Sequence, residues 1–391
     1  MKNYTLIDAF NIGIKKNKKD AVCMMLSEKS NIAMVATKNK FAAAPVLLSK
    51  KYIKEIRTKY LLINSGNANA CTGPIGLNNV KKYGKLISKK LKCKTNEILI
   101  FSTGIVGEQL PIKKMLNSIA KREFKFKSSW SDAASAIMTT DKFKKIITKS
   151  FFIKNQKIIV NAICKGAGMI EPDMATTLSF MEINIKATQK LLSTLLNNVT
   201  KNSFNKISVD GDMSTNDSFI LIASGQNDKI NFSSDNSSYM KLEQNLIKIA
   251  QNLSRKIVED GEGSTKIIDI NVINAKNNME AKKVTLALAN STLIKTALNG
   301  SNPNWGRILA KLGSVHYASY SINKIILKLN DYIVFKNGSP LKKLDSSSLK
   351  KSMKNKNIKI FLNLSSGKGF YNLVTSDLSK KYVHLNSMNS T

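Results

Sequence analysis

Cysteine, proline and arginine are all scarce in this 391-residue chain, at four, six and four residues. Cys23, Cys71, Cys93 and Cys164 lie far apart and form no CxxC pair, which excludes a disulfide framework and a cysteine-built zinc site and fits a reducing cytoplasm. No apolar run approaches membrane-spanning length. The opening MKNYTLIDAFNIGIKKNKKD lacks the continuous apolar stretch of a secretory signal and the arginines of a mitochondrial presequence, so a cytoplasmic protein is expected. Acidic residues are few as well: 62 Lys and Arg against 26 Asp and Glu leave a formal charge of +36. Taken alone, that charge points to a nucleic acid or an anionic membrane. Nearly all of it is lysine spread along the whole chain, however, whereas phosphate and base recognition favours the planar fork of arginine. A solvated lysine surface is expected, with no nucleic-acid and no membrane partner.

The 42% of hydrophobic residues can fill a substantial core, and the chain is long enough for one large or two ordinary domains. Apolar runs that end in glycine or asparagine turns recur through the first half: IAMVAT, YLLINSGNANA, ILIFSTG and KIIVNAICKGAG. They read as strands whose C-terminal ends open into polar loops. Helical spacing falls between them, with Leu77, Val80 and Ile87 on one face, and later a stripe of Leu242, Leu246, Ile249, Leu253 and Ile257 that stops at DGEG. Beyond about Gly300 the strand candidates IILKL and YIVF precede an Asn337-Gly338 turn, and IKIFLNL follows it. The expectation is a mixed α/β (α+β) chain with a smaller C-terminal unit over about 300–391. Lys342 to Lys359 reads as a surface loop or helix.

One segment is unusual. KGAGMIEPDMATT, Lys165 to Thr177, separates the strand KIIVNAIC from the alternating strand TLSFMEINI. A loop between strands can be a plain hairpin connection. Threonine at the start of a buried strand, preceded by alanine, is also what an N-terminal nucleophile needs. If the Thr176 hydroxyl attacks the Ala175 carbonyl and that bond breaks, the new chain starts with a residue whose α-amine lies beside its own hydroxyl. Gly166, Gly168 and Pro172 would let the backbone hold the geometry this requires.

Other segments supply matching chemistry. FSTGIVGEQLP sets Thr103 and Gly104 at a strand end, a hydroxyl and an unencumbered N–H suited to an oxyanion. SAIMTTDKF adds Thr139 and Thr140. SVDGDMSTNDS packs Asp210, Asp212, Asn216 and Asp217 into one turn, without the glutamate that closes an EF-hand calcium loop. VEDGEGSTK holds Glu262, and NGSNPNWGRIL holds Trp305 and Arg307.

Taken in this order, AAAPV, NSGNANACTG, STGIVGE, MTTD, KGAGMIEPDMAT, VDGDMSTND, DGEGSTK, NPNWGRI and the tail YVHLNSMNST make the chain resemble the glutamate N-acetyltransferase (ornithine acetyltransferase) family of arginine biosynthesis. The resemblance covers almost the whole chain. It implies the layered sheet-and-helix fold of that family and a precursor that cleaves itself between Ala175 and Thr176. The α chain, 1–175, and the β chain, 176–391, would stay associated as an αβ pair and form a dimer of such pairs. It further implies that Thr176 is the nucleophile, that Thr103 and Gly104 are the oxyanion donors, and that Thr139, Lys165, Thr176, Glu262, Asn386 and Thr391 contact substrate. Ala167, Asn302 and Ser376 depart from the usual family residues, which bears on local packing.

The reaction so implied is a ping-pong transfer of acetyl from N2-acetylornithine to glutamate through acetyl-Thr176, with no metal or cofactor. The sequence leaves open whether acetyl-CoA is a second donor. An N-terminal-nucleophile aminopeptidase would give the acyl group to water instead, and a basic nucleic-acid-binding protein would show salt-dependent affinity for polyanions. The tail is expected to fold back over the pocket, with KYVHL read as a strand.

Overall fold

The computed structural model describes residues 4–171, 177–233 and 235–388. Pro172 to Thr176, with the expected Ala175-Thr176 junction and nucleophile, and the expected substrate contact Thr391 lie outside the described residues. The chain divides into two compact units, one holding the residues up to Asn205 with Asp212–Ile257, the other Lys206–Gly211 with the chain from Val258 on.

In the first unit the β-rich sequence forms two sheets. β1 (Leu6–Phe10), β2 (Ala21–Met25), β4 (Tyr60–Asn67) and β5 (Ile98–Ile105) make one, in that order, with β4 and β5 parallel and the other pairs antiparallel. The second runs β3-β10-β8-β7-β6, from β3 (Asn31–Ala36), β6 (Lys145–Ile153), β7 (Gln156–Lys165), β8 (Leu178–Ile185) and β10 (Ser218–Asn227); the short β9 (Ile207–Ser208) belongs to the other unit. Inner faces meet in one apolar layer. Val22, Ile63, Leu99 and Phe101 pack there with Ile163, Phe180, Ile220 and Ile222, and the rings of Phe101 and Phe180 sit edge to face at 5.5 Å.

The outer face of the first sheet is closed by helices. α1 (Ala44–Glu55), α2 (Gly73–Lys90) and α3 (Ile112–Ala120) bury Leu48, Val80, Tyr83, Ile87, Met115 and Ile119 against Phe10, Cys23, Leu62 and Ile100. The expected stripe of Val80 and Ile87 is thus the buried side of α2, with Leu77 only partly covered at its margin. α4 (Trp130–Ala136) starts at a capping box, Ser129 with Asp132, and its Trp130 and alanines fill the layer between the sheets. α5 (Gln189–Lys201) packs on β3 and β10, while α6 (Asn236–Glu259) lies along β7 and β6, where the Leu253 carbonyl accepts from the Cys164 thiol and Lys256 donates to the Ile146 carbonyl. Leu242, Leu246, Ile249, Leu253 and Ile257 are all buried, as their spacing predicts. The unit is therefore a helix, sheet, sheet, helix sandwich.

β8 departs from its alternating pattern, since every one of its eight residues is buried. It is an interior strand of a sheet covered on both faces, so polar positions go inside and find partners there. Ile159 N–H donates to Asn184 Oδ1, Asn161 Nδ2 to Glu182 Oε2, and the hydroxyls of Thr177 and Ser179 share a hydrogen bond of 2.7 Å.

The second unit is built on one seven-stranded sheet, β14-β13-β12-β15-β11-β16-β9. Its strands are β9, β11 (Ile267–Ala275), β12 (Ile326–Leu329), β13 (Tyr332–Lys336), β14 (Ser339–Pro340), β15 (Asn357–Asn363) and β16 (Gly369–Ser376). α7 (Asn278–Ala289), α8 (Thr292–Asn299) and α9 (Trp305–Gly313) supply Val284, Leu288, Ile294, Leu298, Ile308 and Leu312 to the core over Ile268, Ile270, Leu327 and Ile360. Asn337 and Gly338 both take positive φ, 53° and 74°, and form the expected hairpin turn between β13 and β14. α10 (Ser346–Ser352) occupies the lysine-rich stretch. This unit takes in β11, α7 and α8 ahead of residue 300.

KYVHL is not a strand. It lies in the helix α11 (Lys380–Met388), because Ser379 starts a helix: its Oγ accepts from Tyr382 N–H and donates to the Gly263 carbonyl at 2.6 Å. Among the described residues no helix is long and apolar enough to cross a membrane.

Candidate active site

β4 and β5 run parallel, so their C-terminal ends open at the same edge, and Gly66 stands opposite Gly104. A Cβ on Gly104 would lie 2.3 Å from the Gly66 carbonyl carbon, and its φ is +130°. Only glycine allows this close approach, which leaves the Gly104 N–H unshielded by a side chain. Asn216 fastens both strand ends, its Nδ2 donating to Ala68 O at 2.6 Å and to Ser102 O at 2.8 Å. The VDGDMSTND motif therefore contributes a brace here. That role depends on two carbonyls distant in sequence.

Thr103 is nearly buried at the end of β5, and Lys165, last residue of β7, donates from Nζ to Thr103 Oγ1 at 3.1 Å. An ammonium can only donate. The threonine oxygen is thus the acceptor, and its own O–H remains to donate elsewhere, polarised by the positive charge behind it. The structure brings these two predicted residues together from different sheets, with Gly104 adjacent.

Thr139 reaches the same region through Asp141. Asp141 Oδ2 accepts from Thr139 N–H at 2.9 Å, and its Oδ1 accepts from Gly166 N–H at 2.9 Å and from Lys145 Nζ at 2.6 Å. One carboxylate thus ties the MTTD turn to Gly166, the first residue after β7. The Asp141 and Lys145 side chains have no solvent exposure. Burial alone would raise the Asp141 carboxyl, but the charges of Lys165 and Lys145, the Lys145 hydrogen bond and the Gly166 N–H outweigh it and hold the group at about 2. Asp141 stands inside a motif noted in the sequence, yet its part was not legible from that motif.

Beyond the loop, Thr177 O accepts from Ser218 N–H at 2.9 Å, which places the residue after Thr176 beside the start of β10.

In the second unit, Glu262 and Asn386 are brought together. Glu262 lies in the DGEG turn after α6, largely buried, and its Oε2 accepts from Asn386 Nδ2 at 3.0 Å. Gly263 has φ +68°, and a Cβ there would sit 2.3 Å from Tyr382 N, so α11 crosses the turn in direct backbone contact. One helical turn later Asn386 comes over Glu262, its amide also donating to Tyr382 O at 3.1 Å.

Among the described residues no cluster of three or more His, Cys, Asp and Glu could hold a metal ion, and all four cysteines are free thiols.

A buried hydroxyl beside an ammonium and a strand-end glycine, next to a loop that leads to an alanine-threonine junction, are groups of the kind that acyl transfer can use. The family model described as the ArgJ family matches residues 6–391. The chain belongs to the ArgJ family. The arginine biosynthesis bifunctional protein ArgJ of Lactococcus lactis is 36% identical over 383 residues, covering 98% of this chain and 96% of the relative. The mitochondrial protein of that name from Dictyostelium discoideum is 40% identical over 397 residues, covering 96% of this chain and 89% of the relative. That of Caldanaerobacter subterraneus is 37% identical over 379 residues, with 96% and 94% covered. The family recognised from the motifs stands.

Proposed function

We propose that the chain is an acetyltransferase of arginine biosynthesis that moves the acetyl group of N2-acetylornithine to glutamate, releasing ornithine and N-acetylglutamate. The observation that carries this reading is the hydrogen bond from Lys165 to Thr103, made at the mouth of the loop that leads to Thr176, in a chain that matches its family from residue 6 to 391.

In the proposed course, Thr176 Oγ attacks the Ala175 carbonyl and water hydrolyses the resulting ester. The α chain then ends in a carboxylate, and Thr176 has a free α-amine. That amine takes the hydroxyl proton as Oγ attacks the acetyl carbonyl of N2-acetylornithine. The negative charge on the carbonyl oxygen is met by the Thr103 O–H and the Gly104 N–H. The bond to ornithine nitrogen breaks as the proton passes to the departing amine. Glutamate then attacks the acetyl-threonine through its own amine, and the proton returns to Oγ. Lys165 pairs the α-carboxylate common to both amino acids, Glu262 the cationic end of ornithine, and Thr139, Asn386 and Thr391 complete the substrate contacts. Associated α and β chains in a dimer of pairs are part of the same proposal.

Incubation with N2-acetylornithine and glutamate, followed by chromatography, tests it. N-acetylglutamate and ornithine should appear in equal amounts. Free acetate as the main acyl product would favour an N-terminal-nucleophile amidase, and formation of neither N-acetylglutamate nor ornithine would refute the reading.

A further inference from the structure

The loop from Ile12 to Lys15 is wrapped round a buried carboxylate. Asp20 Oδ1 accepts from Ile12 N–H at 2.5 Å, and Oδ2 accepts from Ile14 N–H at 2.7 Å and Lys15 N–H at 2.6 Å. Gly13, at φ +97°, makes the turn, and Asn11 Nδ2 closes it on Lys15 O at 2.9 Å. Three charge-assisted bonds therefore fix the backbone from which Lys15 projects. Its stem crosses Gly66, where a Cβ would come within 3.2 Å of Lys15 Cγ and 3.4 Å of Cε. Gly66 is the strand partner of Gly104. The ammonium then donates to Ser65 Oγ at 2.7 Å and to Met138 O at 2.5 Å, the carbonyl that enters the Thr139 turn.

Lys15 thus reaches the two places where the proposed site is assembled from separate segments. We propose that Lys15 is a positioning residue for acyl transfer, clamping the Ser65-Gly66 strand end to the Met138-Thr139 turn so that the Thr103 and Gly104 donors keep their aim. The proposal rests on the site reading above. A solvated loop lysine would not be held in this way. Burial lowers its ammonium to about 8; Asp20 and Asp141 act against that, and Lys165 and Lys18 add to it.

The test compares Lys15→Met, Lys15→Arg and Thr103→Ala for self-cleavage, kcat, KM and thermal midpoint. Misplacement of reacting groups by about 1 Å costs on the order of 10²-fold. Lys15→Met should lower kcat roughly 10- to 100-fold and slow cleavage, with KM for N2-acetylornithine within about twofold. Lys15→Arg should recover most of kcat. If Lys15→Met does not fold, Lys15→Gln carries the same comparison. Wild-type kcat in Lys15→Met, or a raised KM at constant kcat, overturns the proposal while a slow Thr103→Ala leaves the site reading standing. If Thr103→Ala also keeps full kcat, the site reading fails with it.

Discussion

Replacing Asp141 by asparagine isolates the charge that knits the candidate site together. The side chain keeps its size, but the ammonium of Lys145, with no solvent exposure, loses the carboxylate 2.6 Å away. The asparagine can offer an acceptor at only one of its two terminal atoms. Its NH2 must then face Thr139 N–H or the Gly166 N–H and Lys145 side, where a donor already stands. Removing one partner of a buried pair costs about 3–5 kcal/mol. At 1.4 kcal/mol per tenfold, the unfolding equilibrium should shift roughly 10²- to 10⁴-fold. The two tryptophans allow the units to be read separately, because Trp130 lies in the first and Trp305 in the second. Urea unfolding followed by Trp130 fluorescence in a Trp305→Phe background measures the effect. Adding Lys145→Met should restore at least half of the loss, since the stranded charge is gone. An unchanged midpoint in Asp141→Asn, or no recovery in the double variant, would refute the argument. The pH dependence has a definite sign. The folded carboxyl is depressed to about 2, so its contribution is complete above the ordinary aspartate value, about 3.9, and is lost as pH falls through about 2. Between pH 5 and 8 the Asp141 contribution should be flat.

Thr103→Ala should lower kcat by about 10²–10³ with little change in KM, measured by steady-state kinetics, since a hydroxyl aimed at an oxyanion acts on the transition state. Gly263→Ala should destabilise the second unit by roughly 2–5 kcal/mol, read from Trp305 fluorescence, because the new methyl has both a positive φ and the Tyr382 N–H against it. Asn386→Ala leaves Glu262 without its amide donor and should raise KM for N2-acetylornithine several-fold while self-cleavage proceeds normally, as seen on a denaturing gel.

What the sequence could convey was local. Glycine after an apolar run marked the ends of β4, β5 and β7, and the leucine-isoleucine stripe of α6 marked its buried side, because each signal lies within one element. Thr103, Gly104 and Lys165 stood out through their motifs, and the structure sets Lys165 against Thr103. The braces were not. Asp141 acts on Gly166, Asn216 on Ser102, and Lys15 on Met138, across 25, 114 and 123 positions of sequence. Such pairings arise only when strands from two sheets converge. α11 was misread because Tyr382 and Val383 favour strands, while the capping hydroxyl that decides the matter, Ser379, also depends on the Gly263 carbonyl far upstream. The full burial of β8 follows from its central place in the sheet order, which its own pattern does not encode.

Thr176 as a nucleophile made by self-cleavage is central to the proposed mechanism, and mass spectrometry of the purified protein with and without N2-acetylornithine tests it directly. Two fragments are predicted, the second beginning at Thr176, and after brief exposure to N2-acetylornithine without glutamate the second should gain one acetyl group on its first residue. Thr176→Ala should remain a single chain that takes up no acetyl group. A wild-type protein that is fully active as one intact chain, or an acetyl group carried on any other residue, would contradict the mechanism.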